Sequence, residues 1–264
     1  MLTTMRYSLF VSMVISLAIV GCSKPQPQNA HAVEIAESDV KKIFIGNLAS
    51  LEKSIDALDS LIKTAQDNAA SRDAVQTAFR AARLAYKRLE FLAEYYAPST
   101  SEEMNGAALS SVGEEYKIEA PSGFQVLEEF IFPAVNLNER DAMLNQTRIM
   151  RSLCKRLDGL VAKKPFTDDR VFDAMRLEIA RMITLGVTGF DSPVAQASID
   201  EANAAAQGIA ESVEPYLKRL EGKDAATAKG VRLVLENAVA YLKKTTAAST
   251  TSIDWSSSSI LLIR

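Results

Sequence analysis

Apolar residues recur along most of the chain at the three- and four-residue spacing of an α-helix, and no long segment alternates as a strand does. The first such segment runs from Ala36 to Gln66 and predicts one long helix. Its apolar positions share one helical face, and they are Val40, Ile43, Phe44, Leu48, Leu51, Ile55, Leu58 and Ile62. A second helix is predicted after Ser71, a favourable N-cap residue, and it ends at Tyr96 because Pro98 follows closely.

Five further helices are predicted after a long connection over residues 98–121. They cover about residues 123–132, 138–164, 168–185, 192–220 and 225–244. Asn138 and Ser192 are the expected N-caps, and Pro193 then occupies the first helical position. The pattern as a whole predicts an all-α fold, an up-and-down bundle of about seven helices over residues 36–244.

Residues 1–21 have the features of a lipoprotein signal peptide. Arg6 is the only charge before the apolar run from Leu9 to Val20, and this run is shorter than the roughly 20 residues of a membrane span. The run ends in Ile19-Val20-Gly21-Cys22, which resembles a lipobox. We therefore expect lipidation at Cys22. The alternative is an ordinary secretory signal in which this cysteine is a coincidence.

The segments on either side of the predicted bundle are polar. Residues 22–35 begin with a Pro- and Gln-rich stretch and are predicted to be a lipidated tether. The anchor then predicts a cell-envelope location, in the outer membrane and facing the periplasm. Residues 245–264 are rich in Ser and Thr and indicate either a disordered tail or a truncated or frame-shifted end.

Charge and composition exclude several functions. The net charge of −3 argues against nucleic-acid binding, which requires basic patches. The only histidine, His31, lies in the predicted tether, so a Ser-His or Cys-His catalytic pair is not expected in the folded region. The sequence contains no Cys-x-x-Cys-His, which excludes covalent c-type haem on this chain. With Cys22 lipidated, Cys154 would be the one remaining thiol.

The second helix carries a stripe of charged residues on an otherwise apolar surface. Arg83, Lys87, Glu90 and Glu94 fall on one side of this helix, and Arg80 lies beside them. One interpretation is a solvated face with ordinary ion pairs between successive turns. The other is a partly buried ionic cluster, in which charges must be paired and are often retained for function.

The short helix over residues 123–132 has a similar pattern. Gln125, Glu128 and Glu129 share one side, whereas apolar residues fill the rest of the helix. Two carboxylates without histidine suit Ca²⁺ or Mg²⁺ better than Zn²⁺. Glu128 is the candidate ligand here, and the sequence leaves the identity of any metal open.

These two segments carry a family resemblance. Residues 123–133, Gly-Phe-Gln-Val-Leu-Glu-Glu-Phe-Ile-Phe-Pro, resemble the Gly-x-His-x-x-Glu signature of imelysin-like proteins, with Gln125 in place of the histidine. The helix from Phe79 to Pro98, followed by Asn105-Gly106, resembles the helical region that precedes the haem domains in some bacterial di-haem cytochrome c peroxidases. The close match covers about residues 75–135.

The resemblance implies an imelysin-like bundle in a cell-envelope protein connected with peroxide detoxification or with iron and haem handling. Glu128 is the signature residue that is retained, and glutamine cannot act as an imidazole ligand or base at position 125. Peroxidase activity would need the haem domains. Haem is therefore expected only in a missing or a partner domain, and no cofactor is expected on this chain.

Two functions follow as hypotheses. The first is a lipid-anchored, non-catalytic scaffold or docking module that serves a di-haem peroxidase or another envelope redox or iron protein. The alternative is a ligand-binding lipoprotein of the imelysin type. It would hold an ion, iron or a haem-related ligand between two groups of side chains. The basic group is Arg80, Arg83 and Lys87, and the acidic group is Glu90, Glu94 and Glu128. Catalysis by this chain alone is a third option.

Overall fold

Helices make up most of the described part of the chain. The computed structural model describes residues 30–112, 116, 118–186 and 188–249, and their side chains from Asp39 to Thr245. The helices are α1 (Ala30–Thr64), α2 (Ala69–Tyr96), α3 (Pro98–Asn105), α4 (Phe124–Ile131), α5 (Arg140–Val161), α6 (Asp168–Arg181), α7 (Ser198–Glu221) and α8 (Ala225–Ser249). The predicted all-α bundle is therefore confirmed.

The predicted leader, Cys22 and residues 250–264 lie outside the described residues. The chain divides into two units, Met1–Glu34 and Ile35–Arg264, and all side-chain contacts given below fall in the second. Helix α1 begins at Ala30, within the segment expected to be a tether, and α8 continues to Ser249, beyond the predicted end of the bundle. None of the described helices has the combination of length and apolarity that crossing a membrane requires.

The central helix is α2, which contacts α3, α4, α6 and α7. Its N-cap is Asn68 and not Ser71, since the Asn68 side chain accepts a hydrogen bond of 2.9 Å from the Ser71 amide. Nearly the whole C-terminal half of α2 is buried, as an all-round apolar helix should be. Its burial is what brings the charged stripe into the interior.

Helix α1 packs on α5 through polar contacts beside its apolar face. The Thr147 hydroxyl donates to Asp59 at 2.7 Å, and Arg151 lies 3.0 Å from the same carboxylate. Arg140 donates to the Ile62 and Ala65 carbonyls, which are among the acceptors left free at the end of α1. These contacts fix the long first helix against the fifth.

The connection predicted over residues 98–121 contains a helix and two short strands in its described part. Proline at the first position starts α3, and Thr100, Ser101 and Met104 bury the inner side of this helix. A short antiparallel hairpin follows, in which β1 (Ser111–Val112) pairs with β2 (Ile118–Glu119). The sequence shows no extended helical period here because only two turns of α3 are present.

Two further predicted helix starts are wrong. Asn138 does not cap α5, because a 3-10 turn over Leu137–Glu139 comes first and Asn136 caps that turn. Ser192-Pro193 does not open α7, which begins at Ser198. Residues 191–197 are irregular, and Gln196 among them has a φ of 51°, which a right-handed helix does not allow.

Candidate functional site

The charged stripe of α2 is buried. Arg83, Lys87 and Glu90 are 2%, 4% and 1% exposed, so the structure supports the buried-cluster interpretation over the solvated face. We use the name ionic cluster for the residues that pair around this stripe, which are Arg83, Lys87, Glu90, Glu94, Glu178, Arg181, Asp191 and Glu201.

Arg83 lies at the inner end of the ionic cluster. It forms two parallel bonds to Glu201 of α7, with Nε to Oε1 at 2.6 Å and Nη2 to Oε2 at 2.8 Å. It also donates to the Asn105 side-chain oxygen at 2.9 Å and to the Asp191 carbonyl at 2.6 Å. The guanidinium therefore joins four parts of the chain, and paired bonds of this kind are the strong ones.

Lys87 lies one turn further along α2. Its Nζ is 2.7 Å from Glu90 and 2.8 Å from Asp191, and Glu201 is 4.0 Å away. Burial lowers the pKa of Lys87, but these three carboxylates outweigh it and hold the pKa above its ordinary range. Asn105 completes the set by donating to Glu90 at 3.1 Å. Lys87 is therefore a charged, fully paired group.

Arg181, at the end of α6, forms the outer end of the ionic cluster. Its side chain is 26% exposed and lies 2.8 Å from Glu94, 3.5 Å from Glu90 and 3.6 Å from Glu178. Glu94 is likewise only partly exposed, and burial raises its pKa despite the neighbouring guanidinium. This end of the cluster is where solvent reaches the charges.

Glu178 is the most perturbed carboxyl group of the site. Its burial in α6 and the nearby Glu90 carboxylate raise the pKa of Glu178 to about 8. Its Oε2 is buried without a hydrogen-bond partner, and Arg181 Nε at 3.6 Å is beyond hydrogen-bonding distance. The raised pKa of Glu178 favours its protonated form.

Helix α4 contributes Glu128 and Gln125 to the wall beside the ionic cluster. Gly123 precedes α4 with φ of 87°, and a Cβ there would overlap the Met104 carbonyl, so only glycine allows this approach to α3. Glu128 Oε1 accepts from the amides of Val194 and Ala195 at 3.0 and 2.5 Å. Burial nevertheless raises the pKa of Glu128.

The remaining predicted site residues lie apart or act through the backbone. Gln125 donates to the Asn105 carbonyl at 3.0 Å, which holds α4 against the end of α3. Arg80 is exposed and stacks over the Phe132 ring, 4.8 Å from its centroid. Glu129, the residue after Glu128 on α4, is exposed. Neither Arg80 nor Glu129 joins the ionic cluster.

Five members of the site were not found by sequence analysis, namely Asn105, Glu178, Arg181, Asp191 and Glu201. Glu201 and Glu178 had a weak signal, since each is a single acid on an otherwise apolar helix side. Asp191 had none, because it lies in an irregular segment.

The comparisons with known proteins do not assign a family to this sequence. No protein-family model matches the sequence, and no curated protein is significantly similar to it. The imelysin resemblance therefore stays a prediction.

The chemistry available to the ionic cluster follows from its composition. The described residues contain no group of three carboxylate, thiol or imidazole side chains close enough to hold a metal ion. Glu128, the candidate metal ligand, is instead bound to two backbone amides. Because most of the cluster's charges pair with one another, its clearest effect is to fasten α2, α3, α6 and α7 together.

Proposed function

We propose that this protein is a lipid-anchored, non-catalytic docking module of the cell envelope. It is of the imelysin type and positions a di-haem peroxidase or a related redox protein near the membrane. The signal sequence ending at Cys22 supports the anchor, and the likeness of α2 and α4 to peroxidase-associated segments supports the partner. A partner that carries haem would supply the chemistry.

The observation that carries the docking role is the apolar outer side of α8. Ala228 and Leu235 face the bundle, whereas Val231, Val234 and Tyr241 are 38%, 68% and 71% exposed. The exposed three follow helical spacing and share one side of α8. Exposed apolar groups arranged in a stripe are typical of a surface that binds another protein.

The pairing within the ionic cluster supports the docking role over the ligand-binding alternative. An anion held by Arg83 and Lys87 would have to displace Glu201, Glu90 or Asp191 from contacts of 2.6 to 2.8 Å. Breaking buried ion pairs in this way is costly. The cluster is better suited to keep the bundle rigid while an outer surface binds a partner.

Site-specific photocrosslinking tests the docking role. A photoreactive amino acid replaces Val234 in the full-length protein in native membranes, and a matched variant carries it at Lys243, which is exposed on another side of α8. We expect an adduct at position 234, absent at 243, that stains for covalent haem. An adduct equal at both positions, an adduct without haem or no adduct at all would overturn the proposal.

The anchor is tested separately with Cys22→Ser. This variant should accumulate as unprocessed precursor and lose labelling by radioactive fatty acid, because the lipid acceptor is gone. Cys154→Ala is the matched control, since it removes the other thiol and should leave labelling intact. Normal processing and labelling of Cys22→Ser would contradict a lipid anchor at this residue.

A further inference from the structure

A groove runs between α2 and α6 at the outer end of the ionic cluster. Its volume is about 310 Å³, at the small end of the range for ligand pockets. Phe91, Tyr95 and Leu177 form its apolar wall. Glu94, Glu178 and Arg181 form its polar end.

The charges beside this groove do not balance. The ion pairs of the cluster bring together five carboxylates, which are Glu90, Glu94, Glu178, Asp191 and Glu201. Three cations meet them, and these are Arg83, Lys87 and Arg181. Buried carboxylates without a matching positive charge are unfavourable, so they favour uptake of either a proton or a cation.

The groove ends at the carboxylate whose bonding is incomplete. Glu178 is 2% exposed, and its Oε2 has no hydrogen-bond partner. The other carboxylates of the cluster each have a cation within 3.0 Å, whereas the nearest cationic nitrogen to Glu178 is 3.6 Å away. An ammonium group at the polar end of the groove would bring a second positive charge beside this carboxyl group.

We propose that the α2–α6 groove binds a small organic cation, with its ammonium group against Glu178 and Glu94 and its hydrocarbon part along Phe91, Tyr95 and Leu177. An aromatic wall beside carboxylates suits an alkylammonium ion, since aromatic faces attract cations and apolar walls bury methylenes. A metal ion fits less well, because the described residues include no group of three suitable ligands. This site is separate from the docking surface on α8.

Binding should be linked to proton release. Burial and the Glu90 carboxylate raise the pKa of Glu178 and favour its protonated form, whereas an ammonium ion beside Glu178 favours the carboxylate. The charged groups around Glu178 are Lys87, Glu90 and Glu94 on α2, Arg181 on α6 and Asp191 before α7. A cation that enters the groove therefore replaces the proton of Glu178.

Calorimetry with n-butylammonium tests this proposal. The full chain is titrated at pH 7 and low salt, in two buffers with different ionisation enthalpies, and n-butanol serves as the neutral probe. We expect saturable binding of n-butylammonium with release of up to one proton, and binding at least tenfold weaker for n-butanol. Potassium and magnesium chloride are titrated as inorganic cations.

The matched variants are Glu178→Gln in the groove and Glu129→Gln outside it. Glutamine imitates the protonated carboxyl, so Glu178→Gln should fold, bind n-butylammonium at least tenfold more weakly and release no proton. Glu129→Gln should bind as the unmodified protein does. Unchanged binding by Glu178→Gln, equal binding of n-butanol, binding of inorganic cations alone, or no binding heat would each overturn the proposal.

Discussion

Arg83 of α2 and Glu201 of α7 form a buried, two-bond ion pair across 118 residues of chain, with nitrogen–oxygen distances of 2.6 and 2.8 Å. Glu201 lies in the first turn of α7, where a negative charge is also favoured by the helix dipole. About two turns later, Gly208 lets α7 approach the backbone of α2 at Arg88. The ion pair and the glycine thus fix the same helix contact at two points.

Replacing Arg83 by leucine should reduce the free energy of unfolding by about 3–5 kcal/mol, because Glu201 would keep a buried charge without its partner. Urea unfolding followed by circular dichroism measures this change. Arg88→Leu on the same helix is the matched control. Arg88 is 41% exposed and 3.0 Å from Glu211, and a surface pair of this kind contributes about 1 kcal/mol or less.

A loss below about 1 kcal/mol for Arg83→Leu would contradict the buried pairing. The double variant Arg83→Leu with Glu201→Leu separates the two contributions. The double variant should recover part of the lost free energy of unfolding, because both charges of the ion pair are then removed.

Gly208→Ala should destabilise the protein by about 1–3 kcal/mol or more, because the added Cβ would overlap the Arg88 carbonyl and force α7 away from α2. Thermal unfolding measures the effect. Gly230→Ala on α8 is the control, since no atom of a neighbouring element lies within 4 Å of its added Cβ. This control should be neutral or stabilising by up to about 1 kcal/mol, as expected for a helix interior. Equal effects of the two substitutions would contradict the close contact.

Glu178 should make the protein less stable as pH rises from about 4.5 towards 8. In this window the folded protein holds a proton that the unfolded chain has released, so each pH unit weakens folding by up to about 1.4 kcal/mol. Urea midpoints across this range measure the slope. Glu178→Gln should reduce the slope, leaving the contributions of Glu94 and Glu128, whose pKa values burial also raises, and should be more stable than the unmodified protein at pH 8.

Glu129→Gln should keep the original slope, since Glu129 is exposed and lies outside the ionic cluster. Asp59 does not affect the slope in this pH range. Burial raises the pKa of Asp59, but Arg151 outweighs burial, and the pKa of Asp59 is lowered to about 2. The stability that ionised Asp59 contributes is fully present above its ordinary pKa of 3.8, and it is lost only as the pH falls below that value. A stability that rises between pH 5 and 8 would contradict the assignment to Glu178.

The helices could be predicted from sequence because their signal is local. Apolar spacing found α1 and α2, and it also identified Arg83, Lys87 and Glu90 as one side of a helix. It could not decide whether that side is buried, since the covering residues Asp191 and Glu201 lie more than 100 positions away along the chain. Single distant acids of this kind leave no periodic pattern.

The segment 191–197 was mispredicted for a related reason. Ser192-Pro193 is a good local start signal for a helix. However, Gln196 has a φ of 51°, which a right-handed helix does not allow, and the amides of Val194 and Ala195 bind Glu128, which lies more than 60 positions away along the chain.

Glu128→Ala should therefore loosen the segment 191–197 without unfolding the bundle. The amides of Val194 and Ala195 would lose a carboxylate acceptor, and such hydrogen bonds to a charged group contribute about 1.5–3 kcal/mol. Hydrogen exchange of these two amides should become at least tenfold faster, whereas amides in the middle of α5 should change little. Glu128→Gln keeps one acceptor oxygen and should preserve most of the protection. Unchanged exchange in Glu128→Ala would mean that this carboxylate does not hold the segment.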